Sequence, residues 1–157
     1  MILAYRLLRL VETHSDALAA SLLEKTRTSP MLSSYSNVPP EELRDRVYGI
    51  YRHLAEWLLA KGDLDVEKRY LEIGAQRAHQ GVPLSQLLWV IVLTKRNLWE
   101  FVKQSSVLER PTEVAGELEV SELLDQFFDR ALYYAAVGYE QALEPAEASR
   151  AGKVLAV

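Results

Sequence analysis

Residues 71–101, LEIGAQRAHQGVPLSQLLWVIVLTKRNLWEF, decide the fold of this chain. The stretch joins two amphipathic helices through a Gly-Val-Pro corner at 81–83, and the second helix carries seven apolar residues in a row at 87–93. A helix that is apolar around much of its circumference has to be covered on more than one side. The stretch therefore predicts a domain that assembles with other chains rather than a catalyst.

Apolar residues recur at helical spacing along most of the 157 residues, and no segment convincingly predicts a strand. The serine- and proline-rich stretch 29–40 is predicted to be a loop, and Pro145 is predicted to end the last helix. We expect one all-α domain over residues 1–144 and a flexible tail at 145–157. The five predicted helices cover about residues 2–26, 40–61, 63–80, 84–103 and 113–143.

The composition argues against several classes of protein. Cysteine is absent, which excludes disulfides, thiolate metal sites and a cysteine nucleophile and is compatible with the reducing cytoplasm, where we expect the protein. The net charge of -4 argues against a nucleic-acid partner, because binding to phosphates needs an excess of Lys and Arg. No apolar run approaches the roughly 18 to 20 residues that span a bilayer, so no membrane partner is expected.

Motifs of known chemistries are missing from the sequence. There is no glycine-rich phosphate loop, no nucleophile elbow and no His-Glu-x-x-His zinc helix. The three histidines, His14, His53 and His79, fall on three different predicted helices, and none has a second histidine at i+3 or i+4. This spacing does not favour a metal site. We expect no metal and no enzymatic activity.

Three polar side chains on predicted helices are candidates for a ligand pocket or for a structural role. Arg77 follows Ile73 and Gly74 at helical offsets, so its guanidinium needs a carboxylate or carbonyl partner. A structural lock is favoured there over anion binding. His14 lies in the apolar stripe of the first helix, where a core histidine with one hydrogen bond is commoner than a pH switch. His79 lies in the last turn of its helix, where it favours the carbonyl end.

Seven aromatic residues fall on or beside the apolar stripes of three predicted helices. Such a stripe is ordinarily part of a core, although these rings could also line a cavity for a flat ligand. Trp89 is the pocket candidate in this group. The seven are Trp57, Trp89, Trp99, Phe127, Phe128, Tyr133 and Tyr134.

The last predicted helix has a second apolar edge, formed by Leu132, Tyr133 and Val137. A monomer would not cover this edge, because the main apolar stripe already faces the core. We expect the edge and Trp99 of the fourth predicted helix to form the interface of a parallel two-fold homodimer.

Three segments resemble the N-terminal domain of RsbRD-type RsbT co-antagonists: PPEEL at 39–43, LEIGAQRAHQGVPL at 71–84 and LLWVIVLTKRNLW at 87–99. The most specific part is G-x-x-R-A-x-Q-G-V-P at 74–83. The resemblance implies a non-enzymatic, all-α, globin-like and dimeric sensor domain. It also implies a place ahead of a signalling domain, as in the bacterial stressosome.

The resemblance also raises a haem-binding gas sensor as an alternative. Globin-coupled sensors likewise run a helix into a Gly-hydrophobic-Pro corner, with the proximal histidine three residues before the glycine. Counting back from Gly81 gives Ala78, and His79 lies one position late, about 100° further round a helix. An axial ligand has to point at the iron. This departure favours the haem-free interpretation.

These patterns together predict a regulatory input domain without a cofactor. A ligand or a signalling-protein partner would favour one of two packings, and the long last helix would pass the difference to an output module. Twelve residues follow Pro145. The sequence leaves open whether the chain acts alone or is part of a longer regulator.

Overall fold

The computed structural model describes residues 2–60, 63–104 and 114–151, and these ranges form α-helices and one 310 segment without a strand. The predicted all-α class with five or more helices is confirmed. None of the helices in these ranges is both long and apolar enough to cross a membrane. The elements are α1 (Ile2–Thr13), α2 (Ser15–Thr28), the 310 segment (Pro30–Asn37), α3 (Pro40–Ala60), α4 (Asp63–His79), α5 (Leu84–Gln104) and α6 (Val114–Ala151).

The predicted first helix consists of two helices, α1 and α2, that meet at His14. The backbone of His14 leaves helical geometry, with φ -111° and ψ 21°. It lies in the run Thr13–Asp16, whose four side chains are all weak helix formers. A stripe drawn on one straight helix does not continue across this kink. The prediction that His14 faces the core is therefore wrong: its side chain is exposed, and its ring centroid lies 5.2 Å from that of Phe101.

Part of the stretch predicted as a loop is helical, so that prediction is wrong for Pro30–Asn37. The Ser29 hydroxyl accepts a hydrogen bond from the Met31 N–H at 3.3 Å, which caps the start of the segment. The segment is kinked at Leu32, whose φ of -121° and ψ of 41° are not helical. Leu32 and Tyr35 are both buried, at 1% and 2% exposure.

The main core contains side chains from all six α-helices and has an aromatic centre. Phe127 lies 5.7 Å from Trp57, 5.9 Å from Tyr70 and 5.2 Å from Phe128 between ring centroids. Each buried phenylalanine contributes about 1.5–3 kcal/mol of hydrophobic stabilisation. A smaller second cluster consists of Leu32, Tyr35, Leu43 and Val82.

The most extensive helix packing in the described ranges joins α4 to α6, and it depends on two glycines. A methyl group on Gly74 would lie 2.0 Å from the carbonyl oxygen of Ala135. One on Gly138 would lie 2.1 Å from the carbonyl oxygen of Leu71. The two backbones are therefore in direct contact, with no layer of side chains between them. We call these four residues the glycine seam.

The corner predicted at Gly-Val-Pro is present between α4 and α5. Gly81 adopts φ +72°, a conformation that favours glycine. The Val82 N–H donates to the carbonyl of Arg77 at 3.0 Å, and the Gly81 N–H donates to that of Ala78 at 3.1 Å. These two bonds are those of a Schellman motif. The Tyr139 hydroxyl donates to the Val82 carbonyl at 2.7 Å, which ties the corner to α6.

The last helix continues past Pro145 to Ala151, so the predicted end at Pro145 is wrong. A proline removes one N–H and crowds the preceding turn, but the remaining hydrogen bonds can continue the helix beyond it. The flexible tail at 145–157 stays a prediction, and its residues 152–157 lie outside the described ranges, as does the predicted helix start at Glu113.

Candidate functional site

A cavity of about 280 Å³ lies between α2, the 310 segment, α3, α4 and α5. Its size is close to the lower end of the roughly 300–1,000 Å³ that is usual for small-molecule sites. Much of the wall is aliphatic, contributed by Leu22, Val47, Ile50, Ile73, Leu87 and Ile91. Polar side chains from α3, α4 and the 310 segment complete it.

Helical spacing directs the polar residues of α3 and α4 into the cavity. On α3, Arg46 and His53 lie two turns apart on one face. On α4, Arg69 and Arg77 have a similar separation. The positive charge of Arg46 acts on Arg77, and the positive charge of Arg69 acts on His53. The cavity therefore has two polar ends, separated along each helix by about 10 Å.

At one end, two guanidinium groups share few acceptors. Arg46 forms an ion pair with Glu42, and its Nη2 also lies 3.4 Å from Gln80 Oε1. Arg77 Nη1 donates to that same oxygen at 3.3 Å. Arg77 is only 4% exposed, and no carboxylate in the described ranges forms an ion pair with it. Burial and then the nearby charge of Arg46 lower the pKa of Arg77.

Unpartnered polar atoms concentrate around this cavity. Within the described ranges, five buried side-chain atoms lack a hydrogen-bond partner, and four of them belong to residues of the cavity wall. An unsatisfied buried group costs about 1–3 kcal/mol, so such a concentration needs a physical explanation. The four atoms are Tyr35 Oη, Arg46 Nη1, His53 Nδ1 and Tyr70 Oη.

Burial governs the ionisation of these groups. It raises the pKa of Tyr35, whose hydroxyl lies beside the Arg77 guanidinium without meeting hydrogen-bond geometry. It also raises the pKa of Tyr70, and both hydroxyls therefore remain protonated donors. Burial lowers the pKa of His53, with Arg69 as the second cause. At neutral pH the end of the cavity at His53 therefore holds a neutral imidazole.

A second buried polar group has all of its partners. Asn97 of α5 donates from Nδ2 to the Leu18 carbonyl at 3.1 Å and to the Tyr51 hydroxyl at 3.0 Å. Its Oδ1 accepts from Ser21 and from Lys25, both at 2.8 Å. This network ties α2, α3 and α5 together. It is a structural element, because every atom of the amide is satisfied.

The four predicted pocket candidates lie in different places, and only Arg77 lines the cavity. His79 is exposed in the last turn of α4, and His14 is exposed at the kink. Trp89 is half-buried beside the second cluster, with the Arg96 guanidinium carbon 5.1 Å from its ring centroid. Three of the seven aromatic residues, Trp57, Phe127 and Phe128, belong to the main core.

The sequence interpretation missed Tyr35, Arg46 and Tyr70 and treated His53 only as an isolated histidine. Arg46 and His53 flank Ile50 on the same helix face, and this spacing was the one local signal for them. Tyr35 gave no such signal, because it lies in a stretch without helical periodicity.

The predicted dimer edge is a partly exposed surface of α5 and α6. Trp99 and Leu132 line one shallow depression together with Phe128. Tyr133 is 64% exposed, and its ring centroid lies 5.3 Å from that of Tyr134. Val137 is half-buried one turn further along. Of the four residues, Trp99 and Leu132 line one depression, whereas Tyr133 and Val137 are not among its lining residues.

Comparison with known proteins gives one description of the chain. The family model of the RsbT co-antagonist protein rsbRD N-terminal domain matches residues 16–152, from the start of α2 to the end of α6. Neither the curated proteins nor the solved structures contain a match to the chain.

Proposed function

Because the chain belongs to the family of RsbT co-antagonist rsbRD N-terminal domains, a family of regulatory input domains of the stressosome type, we propose that it is a non-enzymatic signalling domain that acts as a homodimer. In this proposal a ligand or a protein partner changes the helix packing, and the change passes to an output module. The match over residues 16–152 carries the proposal.

The glycine seam gives this proposal a physical route. α4 lines the cavity with Ile73 and Arg77 and contacts the backbone of α6 at Gly74. Side chains between two helices can absorb a small shift by changing rotamer, but the seam has none. A displacement of α4 at the cavity therefore displaces α6 as well, because close-packed interfaces shift between discrete arrangements.

The exposed side of α5 and α6 supports the proposed homodimer. Tyr133 exposes an aromatic ring and follows Leu132, which lines the depression together with Trp99. Charged residues, among them Lys95 and Arg96, also line this depression, and apolar surface with a polar rim is typical of interaction sites. In a two-fold dimer α6 would meet its own copy, so a shift of α6 would change the relative position of the two subunits.

Charge substitution at this surface tests the dimer. We expect Tyr133→Glu combined with Val137→Glu to give monomers in multi-angle light scattering, because two buried carboxylates would face their copies across the axis. Tyr5→Glu is the matched control, since Tyr5 is 61% exposed on α1, and this variant should stay dimeric. A double variant that is still dimeric would place the interface elsewhere, and a monomeric unmodified protein would contradict the dimer.

The haem sensor is the alternative candidate, and His53 is the histidine of the cavity wall that would have to serve as its axial ligand. The buried atom of His53 without a partner in the described ranges is Nδ1, whereas a histidine binds haem iron through Nε2. His79, the histidine nearest the globin-type position, is exposed and is not part of that wall. A Soret band in protein expressed with haem available, lost in His53→Ala, would favour this candidate. A colourless preparation would exclude it.

A further inference from the structure

We propose that the cavity binds a small organic carboxylate, with the carboxylate group at Arg46, Arg77 and Tyr35 and the apolar body against the aliphatic wall. The inference deepens the proposed input role, on which it rests for its physiological meaning, by naming the chemical class of the signal.

The balance of charge at the arginine end favours an anion. Arg46 and Arg77 bring two positive charges, and Glu42 brings one negative charge that pairs with Arg46. Asp45 also borders the cavity, but it is exposed to solvent and forms no ion pair with either arginine in the described ranges. The remaining positive charge belongs to Arg77, which is 4% exposed. Among the described residues, the neutral Gln80 side chain is the only acceptor that meets hydrogen-bond geometry with Arg77. A buried charge is costly unless it is paired. An incoming carboxylate supplies the missing negative charge.

The unpartnered atoms at the same end favour an acceptor with more than one oxygen. Arg46 Nη1 and Tyr35 Oη are both buried and unpartnered, and both can donate. Arg77 can donate from nitrogens that do not bond Gln80. Guanidinium groups bind carboxylates through two parallel hydrogen bonds, and a tyrosine hydroxyl can add a third. Neutral ligands with one carbonyl oxygen would leave some of these donors unsatisfied.

The remaining wall selects an organic anion over an inorganic one. Ile73 of α4, Val47 of α3 and Leu87 of α5 border the space beyond the arginines. Inorganic phosphate would pair with the guanidinium groups but leave this apolar surface uncovered. The spacing of the two polar ends allows a body of about 10 Å. A hexanoate chain or a phenylpropanoate ring fits this length, and Tyr70 and His53 could bond a polar group at its far end.

Isothermal titration calorimetry of the complete chain tests the inference with defined probes. Hexanoate and 3-phenylpropanoate are the carboxylate probes, 3-phenylpropanamide is the neutral isostere, and inorganic phosphate is the anion without an apolar body. We expect at least one carboxylate to bind and both the amide and phosphate to bind at least tenfold more weakly. The amide lacks the charge that Arg77 requires, and phosphate lacks the body.

Substitutions place the binding at the arginine end. Arg77→Gln should weaken carboxylate binding at least tenfold, and Tyr35→Phe, which keeps the shape of the wall, should weaken it about fivefold. Arg44→Gln is the matched control, because Arg44 is exposed on the same helix as Arg46 and is not part of the cavity wall. The affinity of the Arg44→Gln variant for the carboxylates should not change. Circular dichroism of each variant establishes that it is folded, and Tyr35→Phe decides the matter if Arg77→Gln does not fold.

Four results would overturn the inference: no binding of either carboxylate, equal binding of the amide, binding of phosphate alone, or equal losses in Arg44→Gln and Tyr35→Phe. Light scattering of the same samples distinguishes a failure of the carboxylate site from a failure of the proposed dimer. A dimer that binds no carboxylate counts against the cavity site only. A monomer that binds hexanoate or 3-phenylpropanoate counts against the proposed dimer only.

Discussion

Two faces of α4 show opposite kinds of packing. The face with Gly74 lies against α6 so closely that a single methyl group would overlap a backbone oxygen. The face with Ile73 and Arg77 borders a cavity whose polar atoms are partly unsatisfied. One helix is thus fixed on one side and incompletely packed on the other. Such a helix can pass an event in the cavity to its fixed neighbour, which a uniformly packed helix would resist.

The largest expected effect comes from filling the glycine seam. Gly138→Ala should lower the free energy of unfolding by about 3 kcal/mol, the upper part of the usual cost of overpacking, because the new methyl group would meet backbone atoms that no rotamer change can move. Gly74→Ala should behave in the same way. Urea denaturation measures both changes.

Gly49→Ala is the control for the seam, since its methyl group would meet only the His53 ring, at 3.8 Å. This variant should gain about 0.5–1 kcal/mol from the higher helix propensity of alanine. If Gly138→Ala were as stable as Gly49→Ala, the close contact of α4 and α6 would be refuted, and with it the contrast between the two faces.

A smaller effect should separate the satisfied network at Asn97 from the unsatisfied cavity. Tyr51→Phe removes a hydrogen bond with Asn97 and should cost about 1 kcal/mol. Tyr70→Phe removes a hydroxyl that has no partner in the described ranges, so it should be neutral or slightly stabilising. Thermal unfolding of the two variants makes the comparison. Equal losses would mean that the Tyr70 hydroxyl has a partner and that the cavity is no different from the network.

The smallest expected effect concerns pH. Burial lowers the pKa of His53 below its ordinary value of 6.5 in the folded protein, whereas the unfolded chain keeps that value. As the pH falls through 6.5, the unfolded state takes up the proton first. Stability from this group is therefore complete above the unfolded pKa and is lost as the pH falls toward the folded pKa.

His53→Gln should accordingly reduce the loss of stability between about pH 7 and pH 5, the window on either side of the unfolded histidine pKa. Urea midpoints measured at several pH values give this dependence. His79→Gln, at an exposed position of α4, should leave it as in the unmodified protein. An unchanged slope in His53→Gln would show that His53 is solvated and does not face a closed cavity.

The sequence predicted well those elements whose structure depends only on residues close together in the chain. The Gly81-Val82-Pro83 corner follows from a glycine at positive φ and a proline that starts the next helix, and both are properties of single residues. The helical spacing of apolar residues on α5 predicts a buried stripe of six, and four of them are buried, whereas Leu84 and Leu88 are half-buried. The four are Leu87, Ile91, Leu98 and Val102. Patterns of this kind need no knowledge of the rest of the fold.

The cavity could not be predicted in the same way, because distant segments form it. Tyr35 is buried because the 310 segment packs against α2 and α5, and no residue near Tyr35 in the sequence indicates that contact. Arg46 and Arg77 meet through the relative position of two helices. The same holds for Gly74 and Gly138, because a glycine within a helix indicates low helix propensity and does not reveal that another helix lies close to it. The prediction that His14 faces the core was wrong for a local reason, because the backbone kinks at this residue.

Hydrogen exchange followed by mass spectrometry, with and without 3-phenylpropanoate, tests the contrast most directly. In the free protein, α4 and residues 131–142 of α6 should exchange slowest, and α2, the 310 segment and the first half of α3 should exchange faster. When the carboxylate is bound, exchange should slow at least severalfold in the second group and change little in the first. Equal protection of both regions, unchanged by the carboxylate, would contradict this prediction.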